Sequence, residues 1–161
     1  MASPKERHEH AVVVDAVAAG LRSLCRSLTV PDTPAIVGLR NVSHLGTRIT
    51  GELGVSPAPT ALELAARLHP TPAVAGNPRD AALDQIVAVE GFDRGRYAGP
   101  VGWVDANGDG EWVVGIRSAQ LAGFRAELTA GVGIVADSDP EAELVETQLK
   151  LQALLAAVVR P

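Results

Sequence analysis

Carboxylates spaced three residues apart occur near both ends of the sequence. Glu6 and Glu9 lie in the first segment, and Glu143 and Glu146 lie in the last one. In an α-helix this spacing places both side chains on one face, and carboxylate oxygens are ligands that Mg²⁺ takes. Each pair is therefore a candidate metal-binding pair. The plainer interpretation is a solvated helix face, on which Glu146 and Lys150 form an i, i+4 ion pair. The spacing leaves both interpretations open.

An arginine in an apolar run is the second candidate. The alternating pattern predicts that Arg117 lies in a strand over residues 111–121 and shares a face with Gly115. A guanidinium beside small residues can clamp a carboxylate, although a solvated charge at a sheet edge fits equally well. Gly131 and Gly133 are predicted in the next strand. Two glycines at i, i+2 indicate either a ligand close to the backbone or a tight contact with a helix.

The histidines and the cysteine restrict the chemistry further. His44 lies in a predicted strand, where a single histidine usually packs or forms hydrogen bonds, and His69 could cap the preceding helix. No Ser-His-Asp arrangement can be assembled from the sequence. Because Cys25 is the only cysteine, it excludes an intrachain disulfide and a multi-cysteine zinc site. A lone thiol is typical of a reducing compartment, so we expect a cytoplasmic protein.

Length and charge exclude other classes of function. The chain has 161 residues, and 14 Lys and Arg against 19 Asp and Glu give a net charge of −5. This acidic balance argues against a nucleic-acid partner. The longest apolar stretch, residues 11–21, is interrupted by Asp15 and is shorter than the roughly 20 residues that cross a bilayer. We therefore expect neither nucleic acid nor a membrane as a partner.

The periodicity of apolar residues predicts an α+β fold with antiparallel sheet packed with helices. A first helix is expected from the Ser3 cap to about Leu28, and Asn77 is expected to cap a helix that ends near Gly91. The other predicted helices cover residues 60–68 and 141–159. The predicted strands cover residues 35–39, 42–53, 101–106, 111–121 and 127–136, the last three forming a three-stranded meander around a hairpin turn at residues 107–110.

Taken together, these segments resemble the chorismate-utilising enzymes, and most closely the isochorismate synthases of menaquinone and siderophore pathways. The resemblance extends over nearly the whole chain, in the family's order. It is carried by Ser3-Pro-Lys-Glu-Arg-His-Glu-His10, His44-Leu45, His69-Pro-Thr-Pro-Ala73, Gly91-Phe-Asp-Arg-Gly-Arg-Tyr-Ala-Gly99, Ile116-Arg-Ser-Ala119, Gly131-Val-Gly133 and Ser138-Asp-Pro-Glu-Ala-Glu143.

The resemblance implies a fold that is only part of a larger one. Residues 1–161 correspond to the C-terminal part of a chorismate-binding domain, an α/β sandwich like that of anthranilate synthase component I. The N-terminal portion of the family fold is absent from this chain. The base lysine and the acid glutamate of the family belong to that portion, so the resemblance assigns no catalytic residue here. A missing N-terminal portion or a second chain is accordingly an expected partner.

The resemblance also implies a magnesium ion and a set of binding residues for chorismate or isochorismate. The metal ligands are Glu9 and Glu146, with Glu6 and Glu143 holding metal-bound waters. The groups that bind substrate are Arg117 and Lys150 through its carboxylates, Gly131 and Gly133 through backbone amides, His44 in the pocket and Ala73 through its backbone.

The activity implied is that of an isomerase, isochorismate synthase, which adds water at one ring carbon and expels a hydroxyl at another. Without the proton-transfer pair, we expect little activity from this chain alone. Two alternatives remain: a non-catalytic chorismate-binding module, and another chorismate enzyme such as a salicylate synthase or anthranilate synthase component I. Thr129 stands where the family usually has an aromatic residue, which leaves substrate packing open.

Overall fold

The structure is a computed structural model that describes residues 4–38 and 43–159. The chain divides into two compact units, which are described separately below. The first unit comprises residues 1–91 and 102–112, and the second comprises residues 92–101 and 113–161. Helices and small antiparallel sheets build both, so the predicted α+β class is confirmed.

The described residues form five helices and eight strands. The helices are α1 Pro4–Arg22, α2 Ala61–Leu68, α3 Pro72–Ala75, α4 Arg79–Val89 and α5 Pro140–Val159. The strands are β1 Cys25–Thr29, β2 Ala35–Gly38, β3 Ser43–Gly46, β4 Thr50–Leu53, β5 Pro100–Val104, β6 Gly110–Val114, β7 Ser118–Ala122 and β8 Arg125–Thr129. They pair as β1 with β4, β2 with β3, β5 with β6 and β7 with β8.

Helix α1 begins at the predicted residue but ends earlier than predicted. Pro4 occupies the first helical position, where its missing N–H costs no hydrogen bond, and the predicted cap Ser3 lies outside the described residues. The helix stops at Arg22 rather than near Leu28 because residues 25–29 pair with β4 instead, in a register that starts at Cys25 and Leu53. A long-range strand pairing therefore overrides the local helical spacing.

The predicted strands over 35–39 and 42–53 form three short strands of the first unit. In the β2–β3 hairpin Val37 lies opposite His44, and Gly38 lies opposite Ser43. The predicted strand residues Leu39 and Val42 lie outside the described residues.

Helix α2 is fixed at its start by a reciprocal capping box. The Glu63 N–H donates to the Thr60 hydroxyl at 3.3 Å, and the Thr60 N–H donates to the Glu63 carboxylate at 2.7 Å. These hydrogen bonds, first from the backbone of Thr60 and then from its hydroxyl, lower the pKa of the Glu63 carboxyl below its usual value. At the other end His69 is the C-cap, and its N–H donates to Ala65 O at 2.9 Å.

The proline-rich segment after His69 contains the single turn α3, which ends at Gly76 with a φ of +86°. Helix α4 then begins one residue later than predicted. Its N-cap is Pro78, which lacks a side-chain hydrogen bond to the helix, so the prediction that Asn77 is the cap was wrong. The helix ends at Val89, close to the predicted Gly91.

The predicted hairpin turn between β5 and β6 is confirmed. The Asp105 carboxylate accepts hydrogen bonds from the N–H groups of Asn107 at 2.8 Å and Asp109 at 3.0 Å. Gly108 has a φ of +89°, a conformation that favours glycine. The turn is therefore set by its own sequence.

The predicted three-stranded meander was wrong. The expected strand 111–121 is divided into β6 and β7, and the expected strand 127–136 ends at Thr129. The β7–β8 ladder begins with Ser118 opposite Thr129. The residue before it, Arg117, has a φ of +50°, which no regular strand adopts. The ladder stops at this residue, and the chain beyond Thr129 has no strand to pair with there.

Helix α5 follows the predicted bounds to within one residue. The Asp139 carboxylate accepts hydrogen bonds from the N–H groups of Glu141 at 2.9 Å and Ala142 at 3.0 Å, which caps the first turn. The helix packs against β8 of the same unit. Within residues 4–38 and 43–159, no helix combines the length and the apolar character needed to cross a membrane.

Candidate functional site

In the second unit, the ammonium group of Lys150 contacts two other predicted site residues, Glu146 and Gly131. Lys150 lies in α5, one turn after Glu146, and its Nζ lies 2.6 Å from the Glu146 Oε1 atom. The same Nζ donates to the carbonyl oxygen of Gly131 at 3.1 Å. Helix α5 carries the predicted metal ligand Glu146 and the predicted substrate-binding residue Lys150, and Lys150 connects it to the segment that contains Gly131.

The face of α5 that carries Lys150 also contains a buried carboxylate. Glu143 is 6% exposed, and the Thr147 hydroxyl donates to the Glu143 carbonyl oxygen at 2.9 Å. Burying a carboxylate is unfavourable unless hydrogen bonds or a cation compensate for the lost water. At Glu143, therefore, this face of α5 is not solvated.

Gly131 and Gly133 lie in an irregular segment that follows β8, not in a strand as predicted. A Cβ atom built on Gly131 would lie 2.8 Å from the Tyr97 hydroxyl oxygen, so the tyrosine leaves no room for a side chain there. The Arg94 guanidinium lies 5.8 Å from the centre of the Tyr97 ring. The close approach expected at this glycine is thus made by Tyr97.

No role for Tyr97 was predicted from the sequence. It is the chain's single tyrosine, and it stands between Gly95 and Gly99. An isolated aromatic residue between two glycines was the available signal for this contact.

Arg117 lies in the bend between β6 and β7, so the prediction of a mid-strand position was wrong. Two backbone hydrogen bonds precede the bend: the Ala98 N–H donates to Gly115 O, and the Gly115 N–H donates to Gly99 O, both at 2.8 Å. The side chain of Arg117 is half-buried. Its Nε atom is buried and has no hydrogen-bond partner among the described residues. A buried donor of this kind is suited to an anionic acceptor.

The first unit holds the other carboxylate pair on α1. Glu9 Oε1 lies 3.7 Å from Lys5 Nζ, which is an ion pair too long for a hydrogen bond. This oxygen is buried and finds no hydrogen-bond donor among the described residues. Glu6, three residues earlier on the helix, is exposed.

The remaining predicted residues of the first unit lie near α1 or after α2. His44 is exposed on β3, which contacts α1. A hydrogen bond of 2.7 Å joins His10 Nε2 to Thr47 Oγ1 and connects α1 to the chain just after β3. Ala73 lies in α3 with an exposed side chain.

The carboxylates on α1 and α5 fit a magnesium ion by their donor chemistry. Mg²⁺ takes oxygen ligands and keeps several waters, so one or two protein carboxylates suffice. The buried Glu9 Oε1 atom has no hydrogen-bond donor among the described residues, and the Lys5 ammonium is 3.7 Å away, so a closer cation could bind this oxygen. In the part of the chain that the structure describes, no three His, Cys, Asp or Glu side chains gather around one point.

Comparison with known proteins identifies the family. The sequence profile of the family described as chorismate binding enzyme matches residues 1–159. The chain belongs to this family. The isochorismate synthase DhbC of Bacillus subtilis is 52% identical to it over 158 residues, which are 98% of this chain and 39% of DhbC. The vibriobactin-specific isochorismate synthase of Vibrio cholerae is 45% identical over 153 residues, 95% of this chain and 38% of that protein. The chain thus spans about two fifths of the length of these relatives.

Solved structures of chorismate-binding enzymes have the same fold. The DhbC structure from Bacillus anthracis matches with a TM-score of 0.93 and 49% identity, over 99% of this chain and 42% of that one. Anthranilate synthase component I from Streptococcus pneumoniae matches with a TM-score of 0.84 and 32% identity, over 94% of this chain and 35% of that one. The predicted resemblance to part of this fold is confirmed.

Proposed function

We propose that the chain forms the magnesium- and carboxylate-binding part of an isochorismate synthase, an isomerase that converts chorismate to isochorismate. The contact of Lys150 Nζ with Glu146, at 2.6 Å, and with the Gly131 carbonyl, at 3.1 Å, carries the proposal. It joins a metal ligand to two substrate-binding groups within one unit. The names of the relatives with 52% and 45% identity support isochorismate synthase rather than anthranilate synthase.

The charges of these residues suit the substrate. Chorismate carries two carboxylates, and a guanidinium and an ammonium are the groups that bind carboxylates most strongly in proteins. The buried Arg117 Nε atom supplies a donor for which residues 4–38 and 43–159 provide no acceptor. Lys150 is held by Glu146 and Gly131, so its position is set before substrate binds. In this proposal Arg117 and Lys150 orient the substrate through its carboxylates, while His44 and Ala73 line the site.

Glu9 and Glu146 would hold the magnesium ion, and Glu6 and Glu143 would hold its waters. When bound, Mg²⁺ supplies positive charge beside a substrate carboxylate.

Proton transfer is the function that this chain lacks on its own. Its two lysines are Lys5 and Lys150, and both form ion pairs with glutamates on their own helices. Neither corresponds to the family's base lysine. This observation favours a second candidate for the isolated chain, namely a module that binds chorismate without converting it.

Calorimetric titration of the 161-residue chain with chorismate, with and without Mg²⁺, tests the binding function. We expect Mg²⁺ to strengthen chorismate binding in the unmodified chain. Glu9→Ala and Glu146→Ala should each weaken the Mg²⁺-dependent affinity at least tenfold. Asp15→Ala and Glu141→Ala are matched controls on the same helices, because both side chains are exposed, and they should bind like the unmodified chain. Equal affinity in all five proteins would contradict the metal assignment.

Turnover distinguishes the enzyme from the binding module. We expect the chain alone to form little or no isochorismate in an assay coupled to isochorismatase. Rapid Mg²⁺-dependent turnover by residues 1–161 would show that the chain contains its own proton-transfer groups.

We further propose that the protein acts in the cytoplasm and that its product enters siderophore or menaquinone biosynthesis. The name of the Vibrio cholerae relative supports a siderophore.

A further inference from the structure

Helix α1 is joined to the chain after β3 by a hydrogen bond between two side chains. His10 Nε2 lies 2.7 Å from Thr47 Oγ1, at the short end of the range for hydrogen bonds in proteins. Both side chains are half-buried, and 37 residues separate them along the chain. Neither residue is among the predicted metal-binding or substrate-binding residues, so the hydrogen bond has no role in the site as described so far.

The two ends of this hydrogen bond lie next to two predicted site residues. His10 directly follows Glu9, the predicted metal ligand on α1, whose Oε1 atom is buried. Thr47 lies three residues after His44, the predicted pocket residue on β3, and β3 contacts α1. The hydrogen bond therefore connects the helix that carries the metal ligand with the strand that carries the pocket histidine.

The position of Thr47 is set by the β2–β3 ladder. The ladder pairs Gly46 with Ala35, and Thr47 is the next residue of the chain. A Cβ atom built on Gly46 would lie 2.6 Å from the Val37 Cγ2 atom, so Val37 packs closely over the end of β3. Thr47 thus follows a strand end whose register is set by backbone pairing and side-chain packing.

The position of His10 is linked to that of Glu9 by the geometry of α1. Successive residues of an α-helix are about 1.5 Å apart along its axis, so a shift of the helix at His10 moves Glu9 by the same amount. Hydrogen bonds form over a range of about 0.5 Å in the distance between heavy atoms, which limits such a shift. Binding residues have to be held within about 0.5 Å of their productive geometry. The two tolerances are the same, so this hydrogen bond can position Glu9 with the accuracy that a metal site needs.

Burial distinguishes this hydrogen bond from other side-chain pairs that join distant segments of the first unit. Arg26 with Glu52 and Arg67 with Ser23 form exposed hydrogen bonds. Water competes for the polar atoms of an exposed pair, whereas a partly buried pair is stronger because the local dielectric constant is lower. A partly buried pair is therefore better suited to hold two segments at one distance.

We propose that His10 is a positioning residue of the magnesium site, which acts through Thr47 to hold the Glu9 turn of α1 at a fixed distance from the strand that carries His44. The inference rests on the proposed function, because that function makes Glu9 a metal ligand. It goes beyond the proposed function by giving a role to two residues that bind neither the metal nor the substrate.

Calorimetric titration of the 161-residue chain with chorismate, in Mg²⁺ and in EDTA, tests this role. The ratio of the two affinities measures the contribution of the metal site. His10→Ala and Thr47→Val should each lower the ratio roughly fivefold, because supporting residues of a metal site contribute to its affinity. The affinity in EDTA should change by less than about twofold. Thr47→Ser keeps the hydroxyl group and should restore the ratio. His8→Ala is the matched control, since His8 is exposed on the same helix.

A double variant tests whether the two residues act as one pair. In His10→Ala/Thr47→Val the ratio should fall roughly fivefold, as in either single variant, rather than the roughly twenty-five-fold of two independent effects. Urea unfolding followed by circular dichroism shows whether each variant is folded. If His10→Ala does not fold, the comparison of Thr47→Val with Thr47→Ser decides, because valine keeps the size of the threonine side chain and removes only its hydroxyl group.

Three results would overturn the positioning role and leave the proposed function intact: an unchanged ratio in His10→Ala and Thr47→Val, additive losses in the double variant, or equal losses of affinity in Mg²⁺ and in EDTA. The last result would make the hydrogen bond a general contact of the fold. Failure of the proposed function has a different signature. The unmodified chain would then bind chorismate no more tightly in Mg²⁺ than in EDTA, and the inference would fall with it.

Discussion

The helices α1 and α5 carry the same spacing of two glutamates and are packed in opposite ways. Each has two glutamates at i, i+3 and a lysine four residues from one of them, with N–O distances of 3.7 Å in α1 and 2.6 Å in α5. The buried residue of α1 is Ala18. In α5 a buried residue is Glu143, and the large apolar side chains are exposed.

The difference teaches that the spacing of charged residues on a helix and the packing of that helix are specified by separate residues. In the first unit α1 contacts α2, α3, β1 and β3, and its valines are half-buried. In the second unit α5 contacts β8, and its large apolar side chains Leu144, Val145 and Leu149 are more than half exposed. The glutamates are three residues apart in both helices, so their spacing could be predicted from the sequence, whereas the packing of the helices could not.

The largest expected effect contrasts a charge placed in α1 with the same charge placed in α5. Ala18 is 5% exposed, and Ala18→Asp would bury a carboxylate without a partner, which costs about 3–5 kcal/mol. Val145 is 54% exposed, so Val145→Asp should change the free energy of unfolding by less than about 1 kcal/mol. Urea unfolding followed by circular dichroism gives both values. Equal losses in the two variants would mean that α1 and α5 are packed alike.

Much of this contrast could not be predicted from the sequence, because it depends on pairings between distant segments. The spacing of Leu24 and Leu28 continues the helical pattern of α1, yet the chain turns after Arg22, since β1 pairs with β4. Likewise, the alternation around Arg117 is that of a strand. Its positive φ ends the ladder, which also leaves Gly131 in irregular chain.

Features that depend on neighbouring residues were predicted well. The helix predicted over residues 60–68 and the turn at residues 107–110 form within a few residues, so their sequences suffice to specify them. The contact of Lys150 with Glu146 follows from helical spacing in the same way. By contrast, the contacts of Lys150 with Gly131 and of Tyr97 with Gly131 join segments 19 or more residues apart, and spacing carries no signal for them.

A smaller effect is expected from removing the cap of α5. Asp139→Ala removes the acceptor for two N–H groups of the first turn and should cost about 1 kcal/mol. Because this turn carries Glu143, chorismate affinity in the presence of Mg²⁺ should fall as well. Thr60→Ala is the matched change at the start of α2 and should cost a similar free energy without weakening chorismate binding. Calorimetric titration of both variants checks the difference. Loss of affinity in both would trace the effect to general instability.

The pH dependence of the α2 cap should give a still smaller effect, confined to the first unit. The pKa of Glu63 is lowered by its hydrogen bonds to Thr60. Its carboxylate therefore stabilises the fold above the ordinary glutamate pKa of about 4.3, and this contribution is lost as the pH falls through the lowered value. Urea unfolding between pH 6 and pH 3 should show a steeper loss for the unmodified chain than for Glu63→Gln. Parallel pH profiles would contradict the shift.

The smallest expected effect concerns the α1 ion pair. Lys5 and Glu9 are each about one third exposed and lie 3.7 Å apart, so Lys5→Ala should cost at most about 0.5 kcal/mol, and less at high salt. Lys150→Ala should cost more, because it also removes the hydrogen bond to Gly131. Urea unfolding at two salt concentrations compares the variants. A larger loss of unfolding free energy for Lys5→Ala than for Lys150→Ala would contradict the interpretation that apolar contacts, rather than the ion pair, hold α1 in place.

The contact between Tyr97 and Gly131 has a consequence for how the sequence can change over time. A Cβ atom at residue 131 and a tyrosine hydroxyl at residue 97 would occupy the same space, 2.8 Å apart. While Tyr97 keeps this position, residue 131 can gain a side chain only if the tyrosine ring shifts, whereas residue 97 can become smaller while Gly131 is kept. Descendants of this gene that acquire alanine or serine at 131 should be those in which residue 97 has already become smaller, and the reverse order of substitutions should be rare. The contact therefore predicts the order in which the two positions change, residue 97 first and residue 131 second.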